Sequence, residues 1–336
     1  MSHSNISIFV PHVGCPHMCA FCNQRTITGT AEIPHADDVK RVCAQALNEV
    51  KNPSDTEIAF FGGSFTAIPR DYMLELLSAA YDFLGEDKFK GIRLSTRPDY
   101  INVEVLEILK KYGVTSIELG AQSLSDKVLT ANERGHSSAD VANASKLIKE
   151  YGFELGLQMM IGLYKSTAED EFETVQKIVS LSPDTVRIYP VVILENTKLG
   201  ELYKSGEYKP FDFDTCIDIT ARAMQSFVDN GIRVIKVGLH ASEFVEEQKL
   251  GGFYHPALRE ICEGRIYLEK LKKIIDNNTE YAEISVPACN LSKAIGQKKC
   301  NVKYFADKGI ELKIVACKNQ QEELKLQKKI DRTAVK

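Results

Sequence analysis

The sequence predicts an α/β protein, a partial parallel (β/α) TIM-type barrel followed by a small basic C-terminal α/β appendage. Short apolar strands alternate with helices from Ile6 to Val237, as in the βα units of a parallel sheet. About seven strands can be counted, one fewer than a closed barrel requires. The alternation stops beyond Val237. We therefore expect a barrel domain over 1–237, an α/β domain over 238–317 and a charged tail over 318–336.

The individual elements follow from apolar periodicity and from the turn residues between them. Strands are predicted at 6–10, 57–61, 91–96, 115–120, 153–160, 184–190 and 232–237. Helices are predicted at 37–50, 71–84, 103–112, 138–150, 167–180 and 213–230. In a parallel barrel the functional residues come from the C-terminal ends of the strands.

Composition sets limits on the class of protein. The chain has 336 residues, 44% of them hydrophobic and 26% charged, enough to bury a large core. No apolar run is long enough to cross a membrane, and the first five residues do not begin a signal peptide. We expect a cytoplasmic protein. The nine cysteines, mostly isolated, suit a reducing compartment.

Charge is unevenly distributed along the chain. The net charge is −4, but residues 252–336 contain 17 Lys and Arg against 11 Asp and Glu. An acidic body with a basic C-terminal piece indicates a nucleic-acid contact, with a solvated lysine-rich tail as the alternative.

Three cysteines form a compact motif after the first strand. Cys15, Cys19 and Cys22 have the spacing C-x3-C-x2-C. Three thiolates leave one iron of a four-iron cubane open, which is typical of a catalytic cluster. The alternative is a Cys3His zinc site that uses His12 or His17. The six other cysteines show no paired spacing, so a second cluster is not expected.

Other candidate residues follow later strands. Gly62 and Gly63 end the second strand, where the lack of a Cβ lets the backbone approach a ligand. Ser95 lies at the end of the third strand, Glu118 and Gln122 flank the end of the fourth, and Gln158 lies near the end of the fifth; Arg134 and His136 follow the fourth. Glu118 and Gln122 could bind a ribose or an amino-acid group.

The C-x3-C-x-Phe-C motif followed by Gly62-Gly63 resembles the radical S-adenosylmethionine (SAM) superfamily. Closer likeness is found in five stretches: 95–100 (STRPDY), 117–123 (IELGAQS), 132–136 (NERGH), 188–190 (IYP) and 202–208 (LYKSGEY). These resemble the radical SAM half of the Elongator catalytic subunit over about residues 5–230. The oxygen-independent coproporphyrinogen oxidases are more distant relatives with the same core.

This resemblance implies two cofactors, a 4Fe-4S cluster on the three cysteines and SAM. The backbone at Gly62 and Gly63 would meet the SAM amino group, and Gln122, Arg134 and Gln158 match SAM contacts in the coproporphyrinogen oxidase branch. Ser95 stands where relatives often have Glu, and Gln158 replaces an acidic residue. The implied reaction is reductive cleavage of SAM to a 5′-deoxyadenosyl radical, with electrons from a donor such as flavodoxin or ferredoxin.

The Elongator-like core and the basic appendage favour an RNA, in particular a tRNA, as substrate. The sequence shows no counterpart of the Elongator acetyltransferase domain, so acetyl or carboxymethyl transfer is not expected. One alternative is a small-molecule radical SAM enzyme of the coproporphyrinogen oxidase type. Another is a non-catalytic protein with a structural zinc loop. No catalytic side chain is assigned.

The appendage is predicted to contain a helix at 256–276 and strands at 281–286 and 310–315. The whole β-α-loop-α-β stretch, made of these two strands and residues 291–302 between them, resembles half of a KH RNA-binding domain. Lys299 stands at the fourth position of its degenerate G-x-x-G loop. RNA phosphate contacts are expected from Lys293, Lys298, Lys299 and Lys303. The alternative is an α/β cap that packs on the barrel. The tail from Lys318 is expected to be a frayed helix or disordered.

Overall fold

The computed structural model describes residues 4–11, 13, 15, 18–23, 33–239, 242–317 and 323–332. In these ranges no helix is both long and apolar enough to span a membrane. The two histidines of the predicted zinc alternative, His12 and His17, lie outside the described residues.

The described residues form twelve strands and twelve α-helices. The strands are β1 Ser4–Val10, β2 Thr56–Gly62, β3 Gly91–Thr96, β4 Val114–Gln122, β5 Glu154–Ile161, β6 Thr185–Pro190, β7 Val192–Leu194, β8 Arg233–Val237, β9 Lys249–Gly252, β10 Thr279–Pro287, β11 Glu311–Cys317 and β12 Lys325–Asp331. The helices are α1 Ala36–Glu49, α2 Arg70–Tyr81, α3 Val103–Lys111, α4 Asp126–Ala131, α5 Ser138–Glu150, α6 Ala168–Leu181, α7 Lys198–Lys204, α8 Phe213–Asp229, α9 Glu243–Gln248, α10 Leu258–Lys272, α11 Leu291–Ile295 and α12 Cys300–Ala306.

Seven of these strands form one parallel sheet in the order β1-β2-β3-β4-β5-β6-β8. The sheet curls into a half-barrel with helices around it, so the predicted partial TIM-type barrel is confirmed. All seven predicted strands are present, with ends shifted by no more than two residues. The C-terminal ends of the strands therefore meet at one rim, as the sequence predicted.

Local signals determine where the flanking helices begin. Ser137 and Thr167 accept hydrogen bonds from the backbone amides three residues on, which caps α5 and α6. The buried side of α5 includes Val141 and Ile148, and this helix packs against β4 and β5. The helices thus cover one face of the sheet with apolar side chains.

The opposite, inner face of the sheet is charged. Its residues alternate along each strand, so that Arg93 on β3 lies beside Ser116 on β4, and Ser116 lies beside Glu154 on β5. Arg93 is 1% exposed, and its guanidinium donates to Glu57 at 2.7 Å, Glu118 at 3.2 Å and Glu154 at 2.7 Å. Closed TIM barrels fill this space with branched apolar side chains. Here a network of compensated charges fills it.

Several short elements were not predicted. Strands β7 and β9 pair antiparallel, and both lie outside the main sheet. Their lengths of three and four residues are too short to give a periodic pattern. The short helices α4, α7 and α9 were missed for the same reason.

The chain divides into two compact units. One contains residues 1–212 and 226–254, and the other contains residues 213–225 and 255–336. In the second unit a sheet of order β11-β10-β12 covers a core that includes Leu271, Ile284 and Phe305.

The end of the chain differs from the expectation of a frayed helix or disorder. Residues 325–331 form β12, which pairs antiparallel with β10. Lys329 also pairs with Asp276 at 2.7 Å. Backbone pairing with a distant strand orders this segment although its own sequence has little apolar content.

Candidate active site

A cavity of about 310 Å³ opens at the rim formed by the C-terminal strand ends. All three motif cysteines line it. Six of the seven predicted cofactor-binding residues line it as well, namely Gly62, Gly63, Ser95, Gln122, Arg134 and Gln158. The fold thus gathers residues from four strand ends and the cysteine loop around one space.

The cysteine loop is fixed by backbone hydrogen bonds. The amide of Ala20 donates to the carbonyl of Asn132 at 3.1 Å, and the amide of Leu199 donates to the carbonyl of Ala20 at 2.7 Å. Cys15, Cys19 and Cys22 are half-buried and none forms a disulfide. Burial and the two neighbouring thiols raise the pKa of Cys22 to about 12, against the opposing charge of Arg134.

The three thiols share a cavity wall without converging on one point. Among the described residues, no three His, Cys, Asp or Glu side chains are grouped as ligands of a single metal ion. The ligands of a cubane bind three different irons and need not converge on one point. Three soft thiolates beside a cavity suit such a cluster.

Arg134 connects the cysteine loop to β4. Its Nη1 donates to Cys19 Sγ at 3.0 Å, and its Nη2 donates to the carbonyl oxygen of Gly120 at 2.7 Å. A Cβ on Gly120 would lie 3.3 Å from that Nη2 and 3.1 Å from Gln122 Nε2. Glycine at position 120 therefore leaves room for both side chains.

Two polar atoms at this wall are buried and have no hydrogen-bond partner among the residues that the structure describes. They are Arg134 Nε, a donor, and Gln122 Oε1, an acceptor. Gln122 also has a positive φ of 64°, beside an irregularity in the β4–β5 pairing. Leaving a buried polar atom unpaired costs about 1–3 kcal/mol. A polar ligand with donor and acceptor groups, as SAM has, would satisfy both atoms.

His136 lies close to this wall and is uncharged at neutral pH. Burial, with the charges of Arg134 and Arg97, lowers the pKa of His136 to about 4. Its Nε2 lies 3.3 Å from the carbonyl oxygen of Ala121. His136 therefore contacts the backbone at the end of β4 as a neutral imidazole.

The glycine pair turns the chain at the end of β2. Gly62 has a φ of 115°, a conformation that side chains disfavour. The Gly63 amide donates to the carbonyl oxygen of Val10 at 2.8 Å, so this N–H is used within the fold. The SAM amino group that is expected here needs hydrogen-bond acceptors, and backbone carbonyl groups rather than this N–H can supply them.

Gln158 joins the cavity to the charged network below it. Its Nε2 donates to Ser95 Oγ at 3.0 Å and to Glu118 Oε2 at 3.0 Å. Ser95 and Gln158, which depart from the family pattern, thus form a bonded pair at the cavity wall.

Glu118 is the one predicted cofactor residue that does not line the cavity. It is 1% exposed, and Arg187 donates to its two oxygens at 2.5 and 2.9 Å. Burial would raise the pKa of Glu118, but Arg187 and Arg93 outweigh burial and lower it. Glu118 therefore orients its neighbours as a carboxylate.

Further polar residues line the cavity and were given no role from the sequence, among them Arg97, Arg187 and Tyr189. Arg97 forms a bidentate pair with Asp99, with both distances 2.9 Å. Arg187 and Tyr189 lie two apart near the end of β6, so they share its inner face. This spacing of polar residues in an otherwise apolar strand is the signal that could have identified them.

Comparison with known families agrees with this geometry. Residues 9–178 match the model of the radical SAM superfamily, and residues 183–268 match the model of the radical SAM C-terminal domain. The first match spans half of the chain, so the chain belongs to the radical SAM superfamily. It is an enzyme of the radical SAM type, with a 4Fe-4S cluster and SAM as its cofactors.

Individual relatives are similar to parts of the chain. A tRNA uridine(34) acetyltransferase of Methanocaldococcus infernus is 25% identical over 69% of this chain and 51% of its own length. Elongator complex protein 3 of Saccharomyces cerevisiae is 30% identical over 50% of this chain and 34% of its own length. An uncharacterised protein of Methanocaldococcus jannaschii is 31% identical over 62% of this chain and 67% of its own length. The chain thus spans about half of the first of these relatives and a third of the second.

The fold is similar to that of solved structures. The archaeal Methanocaldococcus infernus Elp3 with an N-terminal deletion superposes with a TM-score of 0.56 and 22% identity, over 74% of this chain and 62% of that chain. Coproporphyrinogen III oxidase (HemN) from Escherichia coli superposes with a TM-score of 0.50 and 16% identity, over 68% of this chain and 54% of that chain. These likenesses support the fold.

Proposed function

We propose that this radical SAM enzyme acts on RNA, with a tRNA as its substrate. The observation that carries the proposal is the similarity of the barrel to proteins named tRNA uridine(34) acetyltransferase. Because the chain matches about half of such a relative, only the radical chemistry is transferred in this proposal.

Cys15, Cys19 and Cys22 are the proposed ligands of the cluster. With SAM bound, a 4Fe-4S cluster that has one open iron supplies the reductive cleavage of SAM to methionine and a 5′-deoxyadenosyl radical. The polar wall holds SAM in this proposal: the Gly62-Gly63 backbone binds the amino group, and Gln122, Arg134, Gln158 and Ser95 supply further polar contacts. Glu118 acts beneath them by orienting Gln158.

A lysine-bearing turn in the second unit is the proposed RNA contact. Lys298 and Lys299 have positive φ values of 53° and 62°, and both side chains are exposed, as is that of Lys303. Asn301 fixes the turn by donating to the carbonyl oxygens of Gly264 and Ala294 at 2.9 and 3.0 Å. Lys293 pairs with Glu263 at 3.3 Å, so it would have to exchange that carboxylate for a phosphate.

A reducing electron donor of the flavodoxin or ferredoxin type completes the proposal. None of the nine cysteines forms a disulfide, which suits the cytoplasm, where both kinds of donor and tRNA are found.

Formation of 5′-deoxyadenosine by anaerobically reconstituted, reduced protein tests the proposal. We expect total tRNA to stimulate it at least severalfold, and Cys19→Ala to abolish it. Slow formation that tRNA does not change would contradict the RNA substrate and favour a small molecule. No formation from protein with an intact cluster would contradict the assigned chemistry.

A further inference from the structure

The lining of the cavity changes in character around the sheet. Its polar residues come mainly from the cysteine loop and from the ends of β2 to β5, where the proposed SAM contacts lie. Beyond β6 the lining is apolar, with Val192, Leu194, Val245 and Leu239. These four side chains pack in one cluster, so they form a continuous wall. The two parts of the cavity thus have walls of different chemistry.

Arg187 and Tyr189 lie on β6, between the polar and apolar parts of the lining. The Nε and Nη2 of Arg187 donate to Glu118, and its guanidinium lies 4.9 Å from the centre of the Phe61 ring. Tyr189 lies two residues further along the same face of β6 and also lines the cavity. Its phenol hydroxyl can donate a hydrogen bond to a group bound there.

The charge of Arg187 is not available to an anion. Glu118 compensates it with two hydrogen bonds in a buried position, so an anion would have to compete with this carboxylate for the guanidinium. A phosphate at Arg187 would have to displace Glu118 from the guanidinium. An uncharged acceptor, such as a carbonyl oxygen, suits the hydroxyl of Tyr189.

We propose that Tyr189 and the wall of Val192, Leu194 and Val245 form the substrate pocket of this enzyme. The pocket takes an uncharged, flat heterocycle with a carbonyl group, a nucleobase extruded from the RNA. Tyr189 donates to the carbonyl oxygen, and Arg187 is a positioning residue beside it on the same face of β6. The proposal rests on the RNA substrate proposed above. Enzymes that react with a base in a folded RNA bring it out of its stack into such a pocket.

A single-tryptophan reporter gives a test that does not depend on turnover. The chain contains no tryptophan, and Phe9 lines the cavity with 39% of its surface exposed. Phe9→Trp in the reconstituted protein would report on ligand entry by fluorescence. The probes are uridine and S-adenosylhomocysteine, with ribose 5-phosphate as the anionic comparison.

We expect uridine to bind saturably and ribose 5-phosphate not to bind at this pocket. Adding Tyr189→Phe should weaken uridine binding roughly five- to tenfold, as loss of one hydrogen bond does, and leave S-adenosylhomocysteine affinity within about twofold. Arg187→Lys should weaken uridine binding in the same direction. Tyr81→Phe, a half-exposed tyrosine of α2, is the matched control and should change neither affinity.

Three results would overturn the proposal: no saturable uridine binding to the reporter protein, unchanged uridine binding with Tyr189→Phe, or an equal loss of S-adenosylhomocysteine binding. Arg187→Lys could destabilise the barrel, but Tyr189→Phe keeps the ring and decides the question without it. Failure of the proposed function gives a different result, because tRNA would then not stimulate 5′-deoxyadenosine formation while the uridine titration would still decide the pocket.

Discussion

Arg134 and Cys19 are separated by more than a hundred residues in sequence, yet Arg134 Nη1 lies 3.0 Å from Cys19 Sγ. The same guanidinium binds the Gly120 carbonyl, and its buried Nε has no hydrogen-bond partner within the described part of the chain. One side chain therefore fixes the cysteine loop against β4 and offers a donor to a bound ligand.

Arg134→Lys should weaken SAM binding while the cluster still assembles. An ammonium group cannot replace three donors in a fixed fork. Loss of a hydrogen bond to a charged group costs about 1.5–3 kcal/mol, or roughly a 10- to 150-fold weaker affinity. Equilibrium binding of SAM to the anaerobically reconstituted protein measures this. Arg41→Lys, on exposed α1, is the control, and equal affinities for the two variants would contradict the role of Arg134.

Replacing any one of the three motif cysteines by Ala should abolish cluster assembly and 5′-deoxyadenosine formation. The cubane has only three protein ligands, and each of these variants leaves it with two. Iron and labile sulfide analysis after anaerobic reconstitution measures the effect. Cys289→Ala, an exposed cysteine of the second unit, should retain about four irons per chain. Full occupancy in Cys19→Ala would refute the ligand assignment.

Gly156→Ala should destabilise the barrel by about 1–3 kcal/mol. A Cβ at this position would lie 2.7 Å from Glu118 Cγ and 3.0 Å from Thr185 Oγ1. The methyl group would push Glu118 away from the arginines that hold it. Urea unfolding measures the change. Gly264→Ala, whose Cβ would be at ordinary contact distance in α10, should cause no loss, and equal stability of both variants would contradict this account.

Glu171 should make stability fall as the pH rises. Burial raises the pKa of Glu171 from 4.5 to about 7, although Ser166 and the Gly162 amide donate to it at 2.7 and 2.8 Å. The folded state binds this proton more tightly than the unfolded state does. The contribution of Glu171 to the free energy of unfolding is therefore full below pH 4.5 and is lost as the pH rises to about 7. The free energy of unfolding falls by about 3 kcal/mol over this range.

Glu171→Gln mimics the protonated carboxyl and should remove that pH dependence. The free energy of unfolding of the variant relative to the natural chain should rise between pH 5 and pH 8, measured by urea unfolding at both values. Glu169→Gln, an exposed carboxylate of the same helix, should leave the pH dependence unchanged. Parallel pH profiles for the natural chain and Glu171→Gln would rule out a raised pKa.

Lys298→Glu combined with Lys299→Glu should weaken tRNA binding and reduce its dependence on salt. Each lost phosphate contact lowers the slope of log affinity against log salt by about 1, so the double variant should lower it by about 2. Filter binding at several salt concentrations measures this. Lys40→Glu combined with Lys51→Glu makes the same change in net charge at exposed sites of the barrel unit. Equal effects of both pairs would exclude a specific contact at the turn.

The seven barrel strands could be predicted because each is a short apolar run between helices with clear periodicity. The cavity could be outlined for a related reason, since parallel strands bring Gly62, Gln122 and Gln158 to one rim whatever their separation in sequence. Both inferences use local patterns and a general rule of chain topology.

The position of Glu118 could not be predicted, because its partners Arg93 and Arg187 lie on other strands. Whether a carboxylate near a strand end faces a ligand or a buried guanidinium depends on the layer it occupies in the sheet. Strand β12 was missed for a similar reason, since its pairing with β10 is non-local. The pairing of Arg187 with Glu118 is a contact of the same non-local kind.

The charges on the inner face of the sheet also bear on how this sequence can evolve. Glu57, Arg93, Glu118 and Arg187 compensate one another across four strands, and loss of one member leaves the buried charges around it without full compensation. Substitutions here are therefore epistatic: a change at one position is tolerated only after a matching change at another. Homologous chains should show these four positions changing together, as one coevolving block.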